Sequence, residues 1–295
     1  MDLGGSVVSL RSSRTRHGVS DHQVPVLTLD DRPASLREWL GSLWRHRVVL
    51  LALAGKDFRV RYKRASLGIL WSVAVPLFQT AIMVFIFSRV GNFGTGSSYS
   101  YAGFVLAGMV PWLYVSTSIP SSTTAIVEGA TLTDKVWFPR AILALVPALS
   151  NLVTLAISTV ILLVALPILG ESLDPRIALV IPAVALATVF CASAGMLLGG
   201  LYVYFRDLKF IVQAGILAWF YVTPIVYPPS ALHSAGPWLD YNPLTGIVGL
   251  FQHAAVGAPV PSHRALLVSL VTTLGVLVAA VVTHRRHDRL FVDLL

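Results

Sequence analysis

Ala141-Ile-Leu-Ala-Leu-Val-Pro-Ala-Leu-Ser-Asn-Leu-Val-Thr-Leu-Ala-Ile-Ser-Thr-Val-Ile-Leu-Leu-Val-Ala-Leu-Pro-Ile-Leu-Gly170 contains no Asp, Glu, Lys or Arg. About 20 apolar residues suffice to cross roughly 30 Å of hydrocarbon, so this run is long enough to span a bilayer. The same holds for residues 67–88, 99–127, 177–205, 210–239 and 265–283. The expected fold class is an all-α membrane protein with six transmembrane helices.

Composition agrees. The chain is 55% hydrophobic and 12% charged, where a soluble domain carries about 25% charge, and its mean hydropathy is +0.74. A net charge of +8 would suggest nucleic acid in a soluble protein. Here it is assigned to membrane orientation and anionic lipid, with no nucleic-acid partner expected. The single cysteine, Cys191, lies mid-run between Phe190 and Ala192, the setting of a small packed residue.

Lys and Arg collect in cytoplasmic loops of membrane proteins. Before the first run lie Lys56, Arg59, Arg61, Lys63 and Arg64, preceded by Arg11, Arg14, Arg16, Arg32, Arg37, Arg45 and Arg47. Lys135 and Arg140 join runs two and three, Arg206 and Lys209 join runs four and five, and Arg285, Arg286 and Arg289 follow run six. Only Arg89, Arg176 and Arg264 fall on the other side, at run ends. Both termini are therefore expected in the cytoplasm.

Four segments follow. Residues 1–32 read as a disordered cytoplasmic tail. Residues 33–64 read as an amphipathic helix and a basic collar: Leu36, Leu40, Leu43 and Trp44 recur at helical spacing beside Arg37, Arg45 and Arg47. That pattern fits a helix in the membrane interface or one packed on the bundle. Residues 65–283 form the six-helix domain, and 284–295 a cytoplasmic C-terminal tail. Within the domain, 228–262 is rich in proline yet largely apolar. Leu244, Ile247, Val248 and Phe251 predict a short helix after Asn242-Pro243, in an outer re-entrant hairpin. Gly195, Gly199 and Gly200 predict close helix packing.

Away from their ends the runs contain no ionisable carboxylate or cation, which argues against proton- or sodium-coupled transport. The eight histidines are scattered, and no metal site or nucleophile constellation is expected. Gly55-Lys56 lacks the upstream glycine of a phosphate-binding loop. Any ATP would be bound by another polypeptide.

Four motifs occur in order: Lys56-Asp-Phe-Arg-Val-Arg-Tyr-Lys-Arg-Ala-Ser-Leu-Gly-Ile-Leu-Trp71, Leu132-Thr-Asp-Lys-Val-Trp-Phe-Pro-Arg140, Tyr204-Phe-Arg-Asp-Leu208, and Trp219-Phe-Tyr-Val-Thr-Pro-Ile-Val-Tyr-Pro228 with Tyr241-Asn-Pro-Leu244. Over roughly residues 35–293 they resemble the permease subunits of ABC-2 polysaccharide exporters, which move O-antigen, capsule, teichoic acid or galactan precursors. The resemblance implies a transport subunit and not an enzyme. It further implies a homodimer in the cytoplasmic membrane with two copies of a separate ATPase, which would hold Mg-ATP, and no cofactor on this chain. The cargo would be a lipid-linked glycan.

It also implies roles for particular residues. Asp134, Lys135, Trp137, Phe138, Pro139, Arg140, Arg206 and Asp207 would couple to the ATPase. Val136 through Pro139 would form an apolar knob with a polar rim, although Asp207 equally suits a helix cap. Arg59, Arg61, Lys63 and Arg64 would receive a pyrophosphate headgroup, although attraction to anionic lipid accounts for the same collar. Trp71, Phe78, Trp112, Tyr114, Tyr202, Tyr204, Trp219, Phe220 and Tyr221 would line a glycan pathway; packing and interfacial aromatic belts are the alternative. Two rival functions remain: an ABC-2 drug or lipid exporter, and a polytopic membrane glycosyl- or phosphotransferase. The second would need paired carboxylates, whereas Glu128, Asp134, Glu171, Asp174, Asp207 and Asp240 are dispersed over both sides.

Overall fold

The computed structural model describes residues 35–63, 68–90, 99–130 and 138–287. The expected 1–32 tail, Arg64, and the coupling candidates Asp134, Lys135 and Trp137 lie outside the described residues. Every regular element among the described residues is helical. In chain order these are α1 (Leu36–Arg45), α2 (Arg47–Tyr62), α3 (Trp71–Val90), α4 (Tyr101–Glu128), α5 (Ala141–Ile168), α6 (Val180–Tyr204), α7 (Leu208–Val222), α8 (Pro243–Val256) and α9 (His263–His287).

The amphipathic preface forms two helices instead of one. Ser35 opens α1 with a capping box: its hydroxyl accepts from the Glu38 N–H at 3.3 Å, and its own N–H donates to Glu38 Oε2 at 2.9 Å. Those bonds hold the Glu38 carboxyl below its usual range. The helix ends at His46, whose N–H and ring Nδ1 both lie on the Ser42 carbonyl, at 3.1 and 2.8 Å. The apolar arc of α1 is divided: Trp39 and Leu43 pack on the bundle, while Leu36, Leu40 and Trp44 are exposed.

Among the described residues, four helical stretches are long and apolar enough to cross a membrane: Tyr101–Glu128, Ala141–Ile168, Pro175–Tyr204 and His263–Arg286. The first and fifth expected runs supply shorter apolar stretches, Ala74–Ser88 and Leu208–Val222. For the fifth run this is a correction, because the helix stops well before residue 239. Thr223 precedes Pro224, which pushes it out of the helical region, and it sits at φ −94, ψ 132. The 15 residues of α7 rise about 22 Å, short of the roughly 30 Å of hydrocarbon. The chain then continues as a 3-10 segment, Pro229–Tyr241. At the C-terminus, α9 runs past the expected boundary at residue 283 to His287. His284 is fully buried there, with Nε2 2.9 Å from the Met196 carbonyl.

The buried helix is α4, which packs against α5, α6 and α8. Its seam with α6 needs glycine: a Cβ on Gly195 would lie 2.4 Å from the Ser122 Cβ, and one on Gly199 3.0 Å from the Ser122 carbonyl. Two apolar clusters stack along the bundle. The larger joins α4, α5, α6 and α8, with Phe104, Leu162, Phe190, Ile225 and Phe251 in it. The smaller joins Trp39, Ile126, Phe138, Ile142, Met196 and Val203 at the end where the basic residues gather. By contrast, Phe78, Phe85, Ile211, Leu217, Leu267 and Val278 leave broad apolar faces on α3, α7 and α9 exposed.

Candidate functional site

The basic collar sits on the last turns of α2, where Arg59, Arg61 and Lys63 are exposed at the surface. They are not equivalent. Arg61 Nη2 contacts Asp57 Oδ2 at 3.0 Å, one turn back on its own helix. Its Nη1 donates to the side-chain carbonyl of Asn151 on α5. Asn151 is buried, and its Nδ2 donates in turn to the Ser118 hydroxyl on α4 at 3.1 Å. Arg61 is therefore the collar residue tied into the bundle.

Two clefts meet at this arginine. One, of about 530 Å³, lies between α2 and the facing ends of α4 and α5, with Lys56, Asp57, Ser121, Thr124 and Glu128 on its walls. The other, of about 210 Å³, lies between α3, α4 and α5, with Trp71, Val75, Val110, Leu113 and Leu155 on its walls. Arg61 lines both.

Of the coupling candidates, Phe138 and Arg140 are buried at 5% and 8% exposure, and Pro139 is buried with them. Phe138 belongs to the smaller apolar cluster with Trp39 and Ile142. It does not project as a knob; an aromatic ring beside so many apolar neighbours is more favourably placed inside than in water. Arg206 and Asp207 are exposed in the turn between α6 and α7. Asp207 stands at the N-cap of α7, where a carboxylate suits the helix dipole, although its side chain makes no capping hydrogen bond. Its backbone carbonyl instead accepts from the Phe210 N–H at 3.0 Å. The Arg206 guanidinium lies over the Tyr202 ring at 5.6 Å.

The aromatic candidates fall into separate groups. Trp112 meets Phe220 at 5.4 Å between centroids, and Phe220 meets Tyr221 edge-on at 5.3 Å. Trp219 packs edge-on against Phe190 at 6.0 Å. Tyr114 is buried and donates to the Ala148 carbonyl at 3.0 Å. Tyr202 is buried near Arg206, whereas Tyr204, Phe78 and Tyr221 are exposed. Trp71 is 43% exposed at the mouth of the smaller cleft. The nine residues thus do not form one continuous lining within the chain.

At the opposite end, Asn242 organises the proline-rich segment. Its Oδ1 accepts from Trp219 Nε1 at 2.9 Å and from the Leu244 N–H at 3.0 Å, capping α8, while its Nδ2 donates to Thr223 Oγ1 at 3.0 Å. Gln252 Nε2 donates to the Pro224 and Ile225 carbonyls at 3.1 and 3.2 Å. The Tyr101 hydroxyl donates to the Val226 carbonyl at 2.6 Å. Non-helical backbone at membrane depth needs such internal partners. The α8 helix itself fulfils its expectation, with Leu244, Ile247, Val248 and Phe251 all buried and Gly257 closing it at φ 67.

Asn151, Ser118, Trp39, Asn242 and Gln252 were not among the candidates drawn from sequence. A polar amide isolated in a chargeless run is the signal that would have found Asn151.

Long apolar helices and a helical core define a multi-pass membrane protein. The chain matches the ABC-2 type transporter family over residues 48–256, and it belongs to that family. It is 31% identical over 204 residues to the O-antigen export system permease protein RfbA of Klebsiella pneumoniae, covering 68% of this chain and 77% of that one. It is 26% identical over 242 residues to the O-antigen export system permease protein RfbA of Myxococcus xanthus, covering 81% and 92%. Membership makes the chain a transporter membrane subunit and implies an ABC ATPase as partner.

Proposed function

We propose that this chain is the permease subunit of an ATP-driven exporter that moves a lipid-linked polysaccharide, of O-antigen, galactan or teichoic-acid type, across the cytoplasmic membrane. One observation carries the reading. The family match covers most of the helical domain, and relatives sharing 26–31% identity are named O-antigen export permeases. In this reading α3 and α7, the latter extended by residues 223–227, complete six crossings, and residues 228–262 form an outer re-entrant hairpin. Both termini are cytoplasmic, consistent with the Lys and Arg asymmetry. Two copies of the chain form the channel with two copies of the ATPase, which binds Mg-ATP. The exposed apolar faces of α3 and α7 are available to the second copy, and two-fold pairing is the commonest symmetry of oligomers.

The 132–140 segment and the Arg206-Asp207 turn receive the ATPase stroke. Here buried Phe138 and Arg140 anchor the segment, and Asp134, Lys135 and Trp137 are the candidates for contact. The α2 collar receives the lipid headgroup, and the exposed stripe Leu36, Leu40 and Trp44 lies in the interface. The exposed aromatics Trp71, Phe78, Tyr204 and Tyr221 are the members of their set best placed to meet a glycan.

Depletion of the chain tests the function. Thin-layer analysis of lipid-linked sugars should show polymer accumulating on its carrier in the cytoplasmic membrane. An unchanged lipid-linked pool, with surface glycan intact, would contradict the proposal.

A further inference from the structure

Arg61 forms part of the wall of two clefts of different character. The larger is mixed: Lys56, Asp57, Ser121, Thr124 and Glu128 offer donors and acceptors beside apolar neighbours such as Leu53 and Leu143. At about 530 Å³ it falls within the roughly 300–1,000 Å³ of small-molecule sites. The smaller is walled chiefly by apolar side chains, with Val75, Val110, Leu113 and Leu155 among them. A molecule filling both would be hydroxylated at one end, anionic in the middle where it passes the guanidinium, and hydrocarbon at the other end.

An ordinary positive-inside anchor explains a cation at this depth, and an i,i+4 pair with Asp57 explains part of its conformation. Neither explains why the guanidinium donates to an amide that is 1% exposed and is itself held by a hydroxyl that is 0% exposed. That relay fixes where the charge sits, as a supporting shell does for a binding group. A guanidinium has five N–H donors; among the described residues two serve Asp57 and Asn151, which leaves three to meet an anion.

We propose that the cleft between α2, α3, α4 and α5 is a binding site, one per subunit, for a single-chain phosphate amphiphile. The phosphate sits at Arg61, the hydroxylated head lies in the larger cleft against Lys56, Asp57, Ser121, Thr124 and Glu128, and the start of the apolar chain lies beside Trp71 and Val75. Asn151 and Ser118 are positioning residues that hold Arg61 in place. This rests on the exporter reading for its natural ligand and deepens the collar's role. It assigns the headgroup to one arginine and to the interior of a single subunit.

Binding is read on the full-length protein in phosphatidylcholine nanodiscs by native mass spectrometry, with a polyprenyl monophosphate as probe. Arg61→Gln should weaken binding at least tenfold. Arg37→Gln, which removes the same charge from exposed α1, should change it less than threefold. Equal losses at both positions would mean diffuse surface attraction and would overturn the site, as would unchanged binding in Arg61→Gln. Asn151→Ala keeps the charge but frees it, and should lose binding about tenfold; wild-type affinity there contradicts the relay, and it serves as the test if Arg61→Gln fails to insert. Inorganic phosphate at equal concentration should not displace the probe, whereas full displacement would show that the chain contributes nothing. The assay involves no ATPase and no glycan, so its failure leaves the depletion experiment free to judge the exporter reading.

Discussion

The indole Nε1 of Trp219 donates to Asn242 Oδ1 at 2.9 Å, tying the last turn of α7 to the N-cap of α8 across the 3-10 segment between them. This bond explains how a helix that stops at Val222 is held in register with the segment beyond it. Because the indole N–H is engaged, Trp219 works first as a strut. A sliding glycan would meet its exposed neighbour Tyr221 more readily.

Asn242→Ala should therefore be costly. It leaves the Trp219 N–H and the Leu244 N–H without their acceptor and removes the donor to the Thr223 hydroxyl, which keeps its own bond to the Trp219 carbonyl. Loss of an N-cap together with a buried hydrogen bond predicts a destabilisation of about 1–3 kcal/mol. Thermal denaturation of the purified protein checks this. Asn242→Asp should be milder, because it retains the acceptor used by Trp219 and Leu244.

The seam between α4 and α6 gives a sharper contrast. Gly195→Ala places a Cβ 2.4 Å from that of Ser122, whereas Gly275→Ala meets nothing within 4 Å. The first should lower thermal stability and yield, since overpacking costs about 1–3 kcal/mol. The second should be neutral or slightly stabilising, as Ala is the better helix former by about 1 kcal/mol. Equal effects would show that the seam is looser than described.

Phe138→Ala removes a ring from the cluster it shares with Trp39 and Ile142. A buried Phe→Ala change costs about 3–5 kcal/mol, so stability and transport should fall together. Arg206→Ala, in an exposed turn, should leave thermal stability within about 0.5 kcal/mol. If the turn couples the subunits, the same change lowers ATP-driven transport. The pair separates anchoring from contact when melting temperature and export are measured on the same variants.

Topology is accessible through exposed positions. In a chain whose native thiol is replaced, Cys at Ser172 or Ser262 should label from outside the cell, and Cys at Asp207 or Arg286 only from the cytoplasm. Labelling of Ser262 and Arg286 from the same side would remove the sixth crossing.

Periodicity and turn chemistry carried much of the fold. Asn242-Pro243 starts a helix, and Gly195 and Gly199 sit where helices touch. These features are local, with partners within a few residues or a requirement for no side chain at all. Apolar length was less informative for residues 210–239: Pro76, Pro111, Pro120, Pro147 and Pro167 all lie inside helices, whereas at Pro224 the chain leaves the helix because Asn242 and Gln252 take up the Val222, Pro224 and Ile225 carbonyls. The coupling segment misled for a related reason. Aromatic residues between two charged rims look exposed in one dimension, but Phe138 packs against Trp39, nearly a hundred positions earlier. Arg61 was legible as one cation among several. Its distinction comes from Asn151 and Ser118, uncharged residues inside runs searched for ionisable groups.

The central claim is that this chain supplies the membrane path and a separate ATPase the energy. It is tested most directly in proteoliposomes bearing a lipid-linked polysaccharide, prepared with the chain alone and with its co-purified ATPase. The chain alone should hydrolyse no ATP above background and translocate nothing. The complex should do both, with translocation abolished when ATP is withheld. ATP hydrolysis by the isolated chain, or polymer translocation by the complex without ATP, would contradict the account.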